Sequence, residues 1–169
     1  MDKLVKQEFR GIVGADHFTE AKEDLLCYGY DATQEQHFAE AVLFPGSTAE
    51  VSAILKLANA RQVPVVPRGA GSGFSGGALP LRGGVVMAMN RFDQIRRIDT
   101  DNLVAEVEPA VITAKFQAAV EKVGLFYPPD PASYTFSTLG GNIAENAGGM
   151  RAVKYGVTKD YVRGLEVVL

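Results

Sequence analysis

The chain has little of what several large classes of protein require. It has one cysteine, Cys27, so an internal disulfide is excluded and a reducing compartment such as the cytoplasm is expected. No hydrophobic run approaches the roughly 18 residues that cross a bilayer, and the chain does not open with a secretory signal. The net charge of −3 argues against non-specific nucleic-acid binding, which needs a basic surface. His17, Cys27 and His37 lie ten residues apart, which is not metal-ligand spacing, so we expect no metal site.

Glycine, by contrast, is abundant and unevenly distributed. The chain of 169 residues has 18 glycines, more than the average of about 7% would give. Thirteen of them lie in two short segments, residues 69–84 and 140–164. This clustering indicates two places where the backbone is needed without side chains.

The length of 169 residues is that of one ordinary domain or two small ones, and the spacing of hydrophobic residues predicts both helices and strands. Helical spacing or capping residues predict helices over residues 2–13, 19–27, 47–62, 113–123 and 141–147. Short apolar or alternating runs predict strands over residues 41–44, 63–66, 85–89, 95–99, 103–108 and 165–169. Strand, helix and strand over residues 41–66 are typical of a βαβ unit.

Three local signals refine this prediction. Ser47 and Glu50 have the spacing of a capping box. Thr113 is expected to cap the helix that Gly124 ends. An apolar strand over residues 165–169 would leave an exposed edge, which natural domains avoid. We therefore expect the chain to be the front part of a longer protein.

The first glycine cluster directly follows a predicted strand. Gly71, Gly73 and Gly76 satisfy the dinucleotide-binding fingerprint, but Pro80 and the glycines after it prevent the helix that this fingerprint requires. A Walker A loop is excluded because no Lys-Ser or Lys-Thr pair follows. The remaining possibilities are a tight loop without ligand and a nest of backbone amides that binds an anion, with Arg68 supplying positive charge.

The second cluster favours the anion-binding interpretation. Residues 137–149 combine hydroxyl groups, bare amides and the carboxamides of Asn142 and Asn146, which lie four residues apart on one side of a short helix. A rigid, proline-rich stretch, residues 128–131, precedes them. Two phosphate-binding loops suit a large dinucleotide held between two substructures.

Three motifs in this order indicate a family. They are Pro67-Arg68-Gly69-Ala70-Gly71-Ser72-Gly73 with Ser75-Gly76-Gly77-Ala78, then Tyr127-Pro128-Pro129-Asp130-Pro131-Ala132-Ser133, then Gly140-Gly141-Asn142-Ile143-Ala144-Glu145-Asn146-Ala147-Gly148-Gly149. They resemble the FAD-binding domain of the vanillyl-alcohol oxidase and p-cresol methylhydroxylase (PCMH) family, and within it the glycolate oxidase, D-lactate dehydrogenase and D-2-hydroxyglutarate dehydrogenase branches. The resemblance covers roughly residue 25 to the end of the chain.

The resemblance implies a PCMH-type α+β domain of two α/β subdomains, the second incomplete. Residues 1–40 would be a helical lead-in and residues 41–169 the FAD-binding domain, with FAD in the cleft between the subdomains. The rest of this domain and the substrate cap would lie beyond Leu169, so no catalytic residue and no metal ligand is assigned.

The resemblance also implies which residues bind FAD. The first loop would hold the pyrophosphate, the proline-rich stretch would pass near the flavin, and the second cluster would line its other side. The implied residues are Arg68, Gly69, Ala70, Gly71, Ser72, Gly73, Gly76, Gly77, Pro128, Asp130, Ser133, Ser137, Gly140, Gly141, Asn142, Asn146, Gly148 and Gly149. Covalent members of the family carry a histidine where Ser72 stands, so we predict non-covalent FAD.

The implied activity of the parent enzyme is oxidation of a small 2-hydroxy acid, such as glycolate or D-lactate, to the 2-oxo acid. Electron-transfer subunits are possible partners, through which a cytoplasmic protein could attach to the inner membrane. Two alternatives stay open at this point. One is a non-catalytic nucleotide-binding or interaction module derived from such an enzyme, and the other is a nicotinamide-dependent dehydrogenase domain.

Overall fold

The computed structural model describes residues 1–169, which form two compact units. The first unit comprises residues 1–91 with residues 166–169, and the second comprises residues 92–165. Each unit combines helices with a sheet, so the expected mixed α/β class is confirmed. No helix is both long enough and apolar enough to span a membrane.

The first unit is built on a four-stranded sheet. Its helices are α1 (Lys3–Val13), α2 (Lys22–Cys27) and α3 (Thr48–Arg61), and its strands are β1 (Phe18–Thr19), β2 (Ala41–Leu43), β3 (Val65–Arg68) and β4 (Val85–Ala88). The strand order is β1-β2-β4-β3. β2 and β3 both run parallel to β4, which lies between them, and β1 is antiparallel to β2. The predicted βαβ unit is therefore present, with a third strand inserted between its two strands.

Burial explains why β2 and β4 read as continuous apolar runs. All residues of both strands are buried, because parallel strands inside an α/β layer are covered on both faces. Helices α1 and α3 add Phe9 and Ile54 to this core, both fully buried. On another side of the sheet, Val42 and Val86 pack with Leu25, Tyr28 and Phe44.

The start of α3 differs from the expected capping box in one bond. The Ser47 hydroxyl accepts from the backbone N–H of Glu50 at 3.2 Å, as expected. The Glu50 carboxylate, however, accepts from the backbone N–H of Gly46 at 2.8 Å rather than from Ser47. Glu50 also lies 3.6 Å from Arg91, so its carboxylate ties the helix to a distant segment.

The second unit contains a two-stranded hairpin and short helices. The antiparallel strands are β5 (Ile95–Asp99) and β6 (Val104–Val107), and the helices are α4 (Thr113–Glu121), α5 (Leu139–Glu145) and α6 (Ala152–Tyr155), followed by a 3-10 turn over Thr158–Tyr161. The core of this unit consists of Val111, Phe116, Val120 and Leu139, with Ile98 and Val107 of the hairpin packed against it.

Two predicted strands begin later in the structure than expected, and a third predicted strand is absent. β3 begins at Val65 because the amide of Val63 still bonds to the carbonyl of Ala58 in α3. Leu103, expected on the inner face of β6, is exposed in the turn with a left-handed φ of 54°. Residues 165–169 form no strand, because no strand of the chain pairs with them.

The approach of Gly84 to Pro64 generates a stability prediction. Gly83 and Gly84 both have positive φ, which costs a side-chain-bearing residue about 1–2 kcal/mol. A Cβ on Gly84 would lie 2.2 Å from the carbonyl oxygen of Pro64, whereas a Cβ on Gly83 would meet nothing closer than 3.8 Å. We expect Gly84→Ala to lower the free energy of unfolding in urea by about 1–3 kcal/mol more than Gly83→Ala. Equal losses in the two variants would contradict the described packing.

Candidate functional site

The first glycine-rich segment lies in the first unit, directly after β3. Residues 69–77, here called the first glycine loop, contain no helix or strand, and the next regular element is β4. A Rossmann site needs a helix that starts at this loop, so the nicotinamide alternative lacks its structural basis. The loop can offer a ligand mainly its backbone.

Arg68, the last residue of β3, packs its side chain against this loop. Arg68 is only 5% exposed, and a Cβ built on Gly71 would lie 2.2 Å from its Nη2 atom. Its guanidinium carbon lies 5.7 Å from the centroid of the Tyr28 ring, and Nη1 donates to the Ala78 carbonyl at 3.4 Å. Arg68 forms no ion pair, so the loop lies over a buried positive charge without a carboxylate partner.

Burial affects the pKa of both members of this cation–π pair. It lowers the pKa of the Arg68 guanidinium, and attraction to Tyr28, Tyr30 and Asp31 offsets part of that shift. Burial raises the pKa of the Tyr28 phenol, and the Arg68 charge offsets part of that rise. Since arginine keeps its proton in proteins, the site stays positive and Tyr28 stays neutral at neutral pH.

The backbone of the first glycine loop has unused donors. None of the five amides from Gly69 to Gly73 donates a hydrogen bond within the chain. Four of the five residues are half-buried and Ala70 is exposed, so a ligand can reach them. Consecutive amides without internal partners, next to a buried cation, fit an anion with several oxygen atoms.

A segment that looked like an irregular connection in the sequence supports the loop. The amide of Ala32 donates to the carbonyl of Gly73 at 3.3 Å. Next to it, buried Asp31 accepts from the amide and the hydroxyl of Thr33 at 2.9 and 2.5 Å. Tyr28 and Asp31 were missed by sequence reasoning because their role depends on Arg68, which is far away along the chain.

The second glycine-rich segment belongs to the second unit and begins with a buried polar network. Asn142 of α5 donates from Nδ2 to the hydroxyl of Thr113 at 2.7 Å. The Thr113 hydroxyl also lies 2.9 Å from the Ser137 hydroxyl and 3.1 Å from the Ser137 carbonyl oxygen. Thr113 is the first residue of α4 and does not cap that helix, which corrects the expected role. Thr138 caps α5 by accepting from the amide of Gly141 at 3.3 Å.

The end of the segment offers backbone groups instead. Asn146 has a left-handed φ of 52° and its Oδ1 accepts from the amide of Lys159 at 3.0 Å, so this side chain holds a turn. The amides of Gly148 and Gly149 donate no hydrogen bond within the chain. A Cβ on Gly149 would lie 2.2 Å from the carbonyl oxygen of Asp130, so only glycine fits where the two segments bridge.

The segment around Asp130 and the segment around Gly149 line an open pocket within the second unit, about 620 Å³ in volume. Asp130 forms part of its wall, and its carboxylate lies 3.4 Å from Nε of Arg151 and accepts from the Arg151 amide at 3.1 Å. Tyr134 and the almost fully exposed Met150 add apolar surface. The pocket therefore combines apolar surface with one ion pair.

Among the residues implied to bind FAD, some present free backbone amides and others have side chains that are hydrogen-bonded within the chain. The glycine loop of the first unit and residues 148–149 of the second present free amides. Ser137, Asn142 and Asn146 instead use their side chains within the chain. Pro128 is buried, and the carbonyl of Ser133 accepts from the amides of Phe136 and Ser137. No group of three or more His, Cys, Asp or Glu side chains could hold a metal ion.

A known family model covers both glycine segments. A profile described as a FAD binding domain matches residues 39–169, which include both segments.

Curated relatives are similar over much of the chain. The glycolate oxidase subunit GlcD of Bacillus subtilis is 49% identical over 168 residues, which is 99% of this chain and 36% of that protein. A D-lactate dehydrogenase of Anaerostipes hadrus is 46% identical over 77% of this chain and 27% of its own length. The D-2-hydroxyglutarate dehydrogenase of Stutzerimonas stutzeri is 37% identical, again over 99% of this chain and 36% of its own. The chain thus spans about a third of the length of these relatives.

Solved structures show the same fold. The superposition on alkyldihydroxyacetonephosphate synthase has a TM-score of 0.84 at 23% identity and covers 95% of this chain and 35% of that one. The superposition on p-cresol methylhydroxylase has a TM-score of 0.74 at 22% identity and covers 85% of this chain and 29% of that one. The expected PCMH-type fold is therefore confirmed.

The contact between Gly71 and Arg68 generates the second stability prediction. Gly71 and Gly76 both have positive φ, but a Cβ on Gly76 would meet only Leu79, at 4.0 Å. Gly71→Ala must in addition displace the Arg68 guanidinium, so we expect it to lower the free energy of unfolding by about 1–3 kcal/mol more than Gly76→Ala. Urea unfolding followed by circular dichroism measures both. If the two variants are equally stable, Arg68 does not pack against Gly71.

Proposed function

The chain belongs to the FAD binding domain family, and on that premise we propose that its first glycine loop binds the pyrophosphate of a non-covalently held FAD. The observation that carries this proposal is the row of five amides, from Gly69 to Gly73, without partners inside the chain and next to the buried Arg68 guanidinium. A pyrophosphate supplies oxygen acceptors for these N–H groups and a negative charge that complements Arg68.

The fit of the loop to this group is steric as well as electrostatic. A Cβ at Gly71 would have to displace the guanidinium of Arg68, which lies against the loop there. The ligand would therefore meet bare backbone on one side of the loop while the cation lies on the other. A charge that is already buried needs no further desolvation when the ligand arrives, so its attraction is not lost to rearrangement of water.

In the second unit we propose that the flavin is met mainly by backbone. The free amides of Gly148 and Gly149 and the pocket beside Asp130 support this assignment. Ser137, Asn142 and Asn146 would contribute by holding this backbone in place, since their side chains are already bonded within the chain. When bound, FAD supplies the redox chemistry by accepting a hydride from the substrate.

Non-covalent binding is supported by the composition of the two segments. Ser72 stands in the first glycine loop where the resemblance places the attached histidine of covalent members, and neither glycine segment contains a histidine or a cysteine. His17, Cys27 and His37 all precede the first glycine loop.

We also propose a cytoplasmic location for the protein, which is supported by its single, exposed cysteine.

For the whole protein we propose oxidation of a small 2-hydroxy acid to the corresponding 2-oxo acid. The proposal is supported by relatives that are named for glycolate, D-lactate and D-2-hydroxyglutarate. No residue among the 169 is assigned as the catalytic base. The proposed substrate class therefore depends on the relatives, whereas the proposed cofactor site depends on the geometry of the two glycine segments.

The third prediction tests the cofactor and its pyrophosphate together. The purified chain should bind FAD, and acid denaturation should release all of the flavin into the supernatant. Arg68→Met removes the buried charge and should raise the Kd for FAD about tenfold, which corresponds to about 1.4 kcal/mol. Riboflavin, which lacks the pyrophosphate, should bind equally weakly to both proteins. Fluorescence titration measures all four affinities.

The control for this experiment is Arg61→Met, which removes an exposed arginine of the same unit that pairs with Glu8. It should leave the Kd for FAD within about twofold of the wild type, because surface ion pairs contribute little. An unchanged FAD affinity in Arg68→Met would mean that the first glycine loop does not bind the pyrophosphate. Flavin that stays with the acid precipitate would contradict non-covalent binding.

The fourth prediction concerns the substrate of the full-length protein. Under anaerobic conditions, glycolate, D-lactate or D-2-hydroxyglutarate should bleach the visible absorbance of the bound flavin, because the substrate passes a hydride to it. L-lactate is the matched control and should bleach the flavin much more slowly. The 169-residue chain loaded with FAD should not be reduced. If none of the three acids reduces the flavin of the full-length protein, the proposed substrate class is wrong.

A further inference from the structure

Helix α4 carries two buried polar side chains one turn apart. Thr113 is fully buried, and Gln117, four residues later, is 9% exposed. Phe116 and Val120 on the same helix pack into the apolar core of the second unit. These four residues have the spacing i, i+3, i+4, i+7, so they share one buried face of the helix, on which two positions are polar and two are apolar.

The hydroxyl of Thr113 has all of its hydrogen-bonding capacity used. It can donate once and accept twice. Asn142 Nδ2 donates to it at 2.7 Å, and its own proton can go to the Ser137 carbonyl oxygen at 3.1 Å. The Ser137 hydroxyl at 2.9 Å then supplies the second donor. In this arrangement, one hydroxyl of α4 joins Ser137 to Asn142 of α5.

Gln117 makes the corresponding contact with the proline-rich stretch. Its Nε2 donates to the carbonyl of Pro129 at 2.8 Å and lies 3.4 Å from the carbonyl of Tyr127. The amide of Asp130, the next residue, donates to the carbonyl of Gly148 at 3.1 Å. One helix face thus holds both segments that line the open pocket of the second unit.

We infer that Thr113 and Gln117 are positioning residues for FAD, which act by fixing the backbone of residues 127–130 and 137–149. The inference rests on the proposed FAD site. Thr113 is fully buried and bonded on every side, so it acts through Ser137 and Asn142 and not on the cofactor itself. A fully satisfied buried network allows one geometry, whereas apolar packing alone tolerates small shifts of the helix.

The test compares exchanges of threonine and valine at two buried positions of α4. Thr113→Val keeps the shape of the side chain but leaves the Asn142 amide without an acceptor. We expect its Kd for FAD to rise about tenfold, with an altered absorbance spectrum of the bound flavin. Thr113→Ser retains the hydroxyl and should bind FAD within about threefold of the wild type. Val120→Thr, the reverse exchange at a buried position that packs in the apolar core, is the control for lost stability.

Two measurements separate positioning from stability. Thermal unfolding of each apoprotein gives the loss of Tm, and amide hydrogen exchange of the apoprotein reports the local opening of residues 137–147. The inference is supported if Thr113→Val loses FAD affinity while Val120→Thr, at an equal or larger loss of Tm, keeps its Kd within about twofold. Gln117→Met should also weaken FAD binding, with faster exchange at Asp130; because Gln117 itself lines the pocket, the Thr113 variants decide the positioning role.

Different results overturn different statements. If Thr113→Val binds FAD like the wild type, or if Val120→Thr weakens binding just as much, Thr113 has only a structural role and the positioning inference is wrong. In both cases the proposed FAD site stands, because the wild-type chain still binds FAD. If the wild-type chain binds no FAD, the proposed function falls and the positioning role falls with it.

Discussion

A loop with almost no side chains cannot pack by itself, so the first glycine loop depends on the guanidinium of Arg68. That group fills the space left by the absent Cβ of Gly71 and reaches the carbonyl of Ala78 on the far side of the loop. The planar shape of arginine matters here, since a lysine ammonium could not pack flat against Gly71 and stack on the Tyr28 ring. The same contact that shapes the loop places its positive charge under the amides.

In the second unit, the groups that shape the backbone and the groups that are open to a ligand belong to different residues. The groups left free for a ligand are backbone amides at Gly148 and Gly149, whereas the buried polar side chains of Thr113, Ser137 and Asn142 bond to each other. Glycine makes the backbone accessible but costs the chain conformational entropy and leaves nothing to pack. Side chains from α4 and α5 supply the order that the glycines cannot.

Local patterns predicted most of the elements, because burial leaves a local signature. The apolar runs of β2 and β4, the alternation in β6 and the lack of a helix after Gly76 could all be read from neighbouring residues. The partners of the buried hydrogen bonds could not be read from neighbouring residues. Ser137 and Asn142 have the composition of ligand-binding residues, but their partner is Thr113, 24 and 29 residues away. A signal that could have pointed to this network is the pair Thr113 and Gln117, polar residues one turn apart on the helix face that also carries Phe116 and Val120.

The surroundings of Arg68 decide how strongly its charge is felt at the loop. The chain as a whole carries a net charge of −3, so attraction of an anion must come from a local field. Asp31 is the carboxylate that acts on Arg68, but its Oδ1 atom is bonded to Thr33 and it forms no ion pair with the guanidinium. A paired arginine would have its field cancelled at short range. An unpaired one in a medium of low dielectric constant keeps that field, close to the five loop amides that have no partner within the chain.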